Sequence, residues 1–121
     1  MKKGIFAVGA FLFALVSFAG NTPAVEKFNV DTKNSSVKWT GRKVTGSHTG
    51  TINIKSGDLS FDGGKLNGGS FVIDMNSIAC TDLSGGMADK LVGHLKADDF
   101  FGTDKFATST LVIKSATLVS G

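Results

Sequence analysis

The sequence predicts an all-β protein of antiparallel strands with one short helix. Three observations carry this. Apolar and polar residues alternate along most of the chain from Val25 onward, the breaks between alternating runs are short and rich in Gly, Asn and Ser, and one segment around Met87, Leu91 and Leu95 changes to a spacing of four. Alternation marks strands with one apolar and one wet face, tight Gly-rich breaks join antiparallel neighbours, and recurrence at i, i+4 and i+8 marks a helix. A chain of 121 residues has room for one domain.

The first element is an address rather than part of the fold. Residues 1–19 carry a basic tip (Lys2, Lys3), an apolar run from Ile5 to Val16, and then Ser17-Phe18-Ala19. Small residues at 17 and 19 place signal-peptide cleavage after Ala19. As a helix the run is about 18 Å long, short of a hydrocarbon core of roughly 30 Å, and no Cys follows it to hold a lipoprotein anchor. The mature protein is therefore expected to begin near Gly20, to fold over residues 20–121, and to work in the periplasm or the medium. Lys+Arg number 13 against 10 Asp+Glu, and two of those cations lie in the leader. The remaining excess is too small and scattered for a nucleic-acid partner.

Strands are predicted around Val37-Trp39-Gly41, Ile52-Ile54, Leu59-Phe61, Phe71-Ile73-Met75 and Leu111-Ile113. The punctuation is Asn34-Ser35-Ser36, Gly46, Ser56-Gly57, Gly63-Gly64 and Gly68-Gly69; the last pair alternatively marks a bulge or bend within one long strand. Ser84-Gly85-Gly86 opens the helix of Met87, Leu91 and Leu95, with Ala88 and Val92 beside that stripe, and Asp98-Asp99-Phe100-Phe101 follows it. Extended structure resumes at Phe106–Lys114, and Ala116–Val119 reads as the start of a further strand. The count is five or six strands.

No catalytic constellation stands out. His48 and His94 share no HxH or HExxH spacing, and the expected role of each is a hydrogen-bonding imidazole that fixes local backbone, not a metal ligand. No Gly-x-Ser-x-Gly elbow occurs, and no Gly pair is followed by Lys-Ser/Thr at a helix start. Asp82 is expected to accept backbone hydrogen bonds near the helix N-terminus, and Asp98-Asp99 to shape the turn beyond the helix. Cys80 is the one cysteine, either buried and inert or paired outside this chain. Trp39 is a core anchor or, on a ligand-binding sheet, part of a cavity wall.

Three stretches carry a family resemblance. Val37-Lys38-Trp39-Thr40-Gly41-Arg42-Lys43-Val44-Thr45-Gly46-Ser47-His48-Thr49-Gly50 resembles the opening hairpin of the YceI-like, lipid/polyisoprenoid-binding family. Gly68 to Ile78 resembles its central strand, and Lys90 to Phe101, with Gly93-His94-Leu95-Lys96 and Asp98-Asp99-Phe100-Phe101, its helix and following turn. The resemblance implies a lipocalin-like antiparallel β-barrel around an apolar tunnel, an exported protein, and no enzymatic activity or cofactor beyond a bound isoprenoid lipid. It covers about the first three-fifths of a family domain, so the barrel is expected to be incomplete here.

These readings converge on a carrier of an apolar, polyisoprenoid lipid, in transient contact with a membrane. The alternative is a ligand-free structural or stress-response barrel that interacts with other proteins. Burying each CH₂ of a lipid chain contributes about 0.8 kcal/mol, so binding needs few polar contacts. The expected apolar lining is Trp39, Ile52, Ile54, Leu59, Phe61, Phe71, Ile73, Met75, Leu111 and Ile113.

Overall fold

A computed structural model describes residues 25–121. The expected leader and its cleavage point lie outside the described residues. Among the described residues there are five strands and one helix: β1 (Val25–Asn29), β2 (Val37–Lys43), β3 (Gly46–Asp62), β4 (Lys65–Cys80), α1 (Gly85–Lys96) and β5 (Thr108–Ile113). All strand pairs are antiparallel. β3 and β4 form the long centre of one sheet; β5 flanks β4, while β1 and β2 share the other edge of β3. The sheet curls into a half-barrel, and no ladder joins β5 to β1 or β2 among the described residues.

Each hairpin follows from local chemistry. Asp62 pairs with Lys65 across Gly63-Gly64, whose φ values of 58° and 81° are those of a two-residue turn that matches strand twist and needs positive φ twice. Between β1 and β2, the Asp31 carboxylate accepts from the backbone N–H groups of Lys33 and Asn34 and from the Asn34 amide. These bonds, the Asn34 amide first, hold the Asp31 pKa below its ordinary value.

Several expectations are corrected here. Ser56-Gly57 is not a break: Ile52-Ile54 and Leu59-Phe61 belong to one 17-residue strand. Lys55 is an extra residue there, because Ile54 pairs with Ile73 while Ser56 pairs with Val72. Gly68-Gly69 lies within β4, beside a second bulge at Asn67, as the bend alternative held. Val25–Asn29 forms a strand of its own, paired through Phe28 to Leu59, although its five residues are exposed. Ala116–Val119 is not a strand; among the described residues no strand pairs with it, and Leu118 and Val119 are exposed.

The core gathers at one end of the concave face. Ile52, Met75 and Ile78 of the sheet pack with Leu95 of α1, and Val37, Trp39, Ile73, Leu91 and Val92 surround them. The helix stripe is the expected one at Leu91 and Leu95, which pack on the core, and departs from it at Met87. Met87 is 68% exposed, while Ala88 and Val92 lie against Ile78 and Cys80 of β4.

Candidate functional site

Register places the expected lining residues on one face. Ile54 opposes Ile73, Phe71 opposes Leu111, and Ile113 opposes Gly69; directly opposed residues in an antiparallel pair share a face. The Lys55 bulge turns Leu59 and Phe61 to that same face, where Phe61 meets the Phe28 ring edge-on at 5.7 Å between centroids. Met75 reaches the core beyond Ile73, and Ser109 donates a hydrogen bond to its Sδ at 3.2 Å. Burial is graded along this face. Ile52, Ile54 and Met75 are buried, Trp39, Phe61, Phe71, Ile73 and Ile113 are half-buried, and Leu111 is exposed.

Only three of these residues line the apolar cavity at the helix end. That cavity, about 240 Å³, is walled by Trp39, Ile52 and Met75 together with Ile78, Leu95, Phe100 and Phe101. Ile54, Phe61, Phe71, Ile73, Leu111 and Ile113 continue the face away from it. The residues the sequence left out are Ile78, Leu95, Phe100 and Phe101. Their signals were present in an apolar residue at the end of a strand, a helix stripe and an aromatic pair, but none reports proximity to Trp39.

The aromatic pair is held by the helix terminus. A helix leaves its last carbonyls without partners, and here the Leu95 carbonyl accepts from the Phe101 N–H and the Lys96 carbonyl from the Thr103 N–H. The Ala97 carbonyl accepts from both Phe100 and Gly102. Phe100 and Phe101 then stack edge-on at 4.7 Å, with His94 5.8 Å from Phe100.

Trp39 seals the sheet where its ladder is interrupted. Four residues of β4, Met75 to Ile78, lie opposite Ile52 alone between two ladder pairs. The Trp39 indole N–H is shared between the carbonyls of Thr51 at 3.2 Å and Ala79 at 3.1 Å. Ser77 Oγ accepts from the Asn53 N–H and donates to the Asp74 carbonyl. The ring lies over Gly50, where a Cβ would stand 2.6 Å from Cζ2 and collide with the Ala79 carbonyl. Trp39 is thus both the anchor and the cavity wall that the sequence left as alternatives.

His48, Cys80 and Asp82 meet outside the cavity. Asp82 Oδ1 accepts from the Thr49 N–H at 3.1 Å and the Cys80 thiol at 3.2 Å, while Oδ2 lies 3.0 Å from His48 Nδ1. An ionised carboxylate only accepts, so the His48 proton is on Nδ1. The Thr49 N–H, then the thiol, pull the Asp82 pKa down to about 2. Asp82 therefore accepts a backbone bond as expected, but from β3 and not from the helix, whose N-cap is Ser84. Asp98 forms an ion pair with Lys105 across the turn at 3.4 Å. Among the described residues no cluster of His, Cys, Asp and Glu could hold a metal ion.

Fold and cavity define a half-barrel with an apolar concave face, an arrangement compatible with a binding protein. The chain belongs to the YceI-like domain family, whose profile matches residues 28–121; the family is one of binding proteins associated with apolar ligands. No curated protein matches the chain.

Proposed function

We propose that this chain is an extracytoplasmic carrier of an apolar lipid of the polyisoprenoid class, and not an enzyme. The observation that carries the reading is the shared face: a run of large apolar side chains from Phe61 and Leu111 to Trp39 and Met75, ending in a cavity whose wall is almost wholly apolar. A soluble domain rarely leaves such a contiguous patch open unless something covers it. Leu111 and Phe101 are 58% and 42% exposed and offer it a long hydrocarbon. The basic tip and apolar run of residues 1–19 support export, and no described helix is long and apolar enough to cross a membrane. Loading would take place in transient contact with a membrane surface.

The test is mass spectrometry of an organic extract of the protein purified from a host that makes isoprenoids. A stoichiometric isoprenoid lipid is the expected result. A folded protein with an empty extract would favour the ligand-free structural alternative. N-terminal sequencing of the exported form should begin at Gly20, and full-length protein in the membrane pellet would overturn the export reading.

A further inference from the structure

One end of the half-barrel is a hairpin that is basic on both faces and apolar at its tip. Between Asp31 and Asp58 the chain carries five Lys and Arg and no Asp or Glu. Three of the five, Lys38, Arg42 and Lys43, are exposed on β2, which pairs with β3 and, among the described residues, with no other strand. Alternation along β2 puts Lys38 and Arg42 on the face turned away from Trp39 and Lys43 on the Trp39 face, so the charges flank the hairpin on both sides. Val44 follows them, in the two-residue turn between Lys43 and Gly46. At 104% it is the most exposed large apolar residue among the described residues. The carboxylate that touches this hairpin is Asp82, and its oxygens are engaged by His48, Thr49 and Cys80.

Lysines on an edge strand discourage pairing with other chains, but that role gives no reason for an apolar tip. Cations around an exposed apolar residue complement an anionic bilayer, whose surface potential attracts Lys and Arg and whose acyl boundary accepts an apolar side chain. We propose that the β2–β3 hairpin docks the protein on an anionic membrane, with Val44 inserted and Lys38, Arg42 and Lys43 over the lipid phosphates. Through Lys43 and Gly46 the hairpin shares a hollow with Phe100, and Phe100, 53% exposed, also walls the apolar cavity. Docking there brings the cavity to the surface from which a lipid would leave. The proposal rests on the carrier reading for its purpose and names the surface that the carrier presents to the membrane.

The experiment is co-sedimentation of the exported form with vesicles of phosphatidylcholine alone and of equal parts phosphatidylcholine and phosphatidylglycerol. Each cation at the surface contributes about fivefold to partitioning, so the mixed vesicles should bind about a hundredfold tighter at low salt. Lys38→Gln/Arg42→Gln/Lys43→Gln should remove that preference. Lys27→Gln/Lys65→Gln/Lys114→Gln makes the same change in net charge outside this hairpin and should keep most of it. Val44→Ser should weaken binding to the mixed vesicles about tenfold while leaving its salt dependence in place. All the exchanged side chains are exposed, and circular dichroism checks each fold. Equal binding to both vesicles, or equal loss in the two triple variants, overturns the docking inference. The lipid in the organic extract is read separately, so the carrier reading then stands or falls on its own. Salt-sensitive binding that Val44→Ser does not alter shows a purely electrostatic contact, open to any acidic partner, and overturns the bilayer assignment. Vesicle binding as expected from a protein with an empty extract keeps the docking face and overturns the carrier reading.

Discussion

His48 and Asp82 are 34 positions apart in sequence and in direct contact, with Nδ1 and Oδ2 separated by 3.0 Å. The contact ties the start of β3 to the segment between β4 and α1. The same carboxylate takes the Thr49 N–H and the Cys80 thiol, so one side chain joins both long strands just ahead of the helix.

This gives a pH dependence with a definite sign. The folded pKa of Asp82 is depressed from 3.8 to about 2, so its contribution is complete above the ordinary value and is lost as pH falls through the folded one. Asp82→Asn should lower the urea midpoint at neutral pH. The gap to wild type should close between about 4 and about 2. Urea titrations of both proteins across that range test it, and a gap that stays constant in acid would show that the carboxylate charge does not matter.

Gly50→Ala should be among the most destabilising single changes in the sheet. The added methyl collides with the Ala79 carbonyl and the Trp39 ring, whereas at Gly41 the nearest atom is 3.9 Å away. Overpacking of this kind costs about 1–3 kcal/mol, read as a shift in denaturation midpoint with a change in Trp39 emission. Gly41→Ala should leave both nearly unchanged.

Ile73→Lys should remove lipid without unfolding the sheet. An ammonium on the apolar face must find a counter-charge or lose its proton. Asp74 is a poor outward control, because its carboxylate accepts from the Asn76 N–H at 3.1 Å and holds the ladder irregularity together. Thr110 is exposed and opposes Val72 on the convex side, so Thr110→Lys should retain full lipid. Extracted lipid per folded protein is the measurement, and equal occupancy in the two variants would remove Ile73 from the site.

Cys80→Ser should preserve both fold and ligand. The serine hydroxyl can donate to Asp82 Oδ1 as the thiol does at 3.2 Å, so the denaturation midpoint should correspond to a change within about 1 kcal/mol. A folded variant that loses lipid would give the thiol a role beyond this hydrogen bond.

Leu95→Ala tests whether the helix closes the cavity. Leu95 is the buried residue of α1 and packs on Ile52, Met75 and Ile78. Its truncation should cost about 2–3 kcal/mol, the low end for a core leucine, because the adjoining cavity is already open. Less lipid in the organic extract per folded protein should accompany that loss.

Element types were legible because they are local. Alternation from Val37 to Ile113 marked strands, and the spacing of Leu91 and Leu95 marked the helix, since backbone geometry sets both periods whatever lies across the sheet. The stretch Ala116–Val119 shows the limit of that argument, as an alternating run forms no strand without a partner to complete its hydrogen bonds. Met87 shows a second limit: it shares the helix stripe with Leu91 and Leu95, yet only those two pack into the core, because the stripe alone does not say how much of it the docked helix covers.

By itself the sequence determined the antiparallel strands, the single helix, the two-residue turn at Gly63-Gly64 and the apolar residues that needed a common face. Which face each occupies was decided in the tertiary structure. Strict alternation from Ile54 would send Ser56, Asp58 and Ser60 inward, and the Lys55 bulge sends Gly57, Leu59 and Phe61 there instead. A bulge is set by the hydrogen bonds available on the partner strand, not by the strand's own period. The same holds for the cavity wall. The turn that holds Phe100 and Phe101 satisfies the last carbonyls of α1 locally, and only the docking of the helix on the sheet brings that turn beside Trp39.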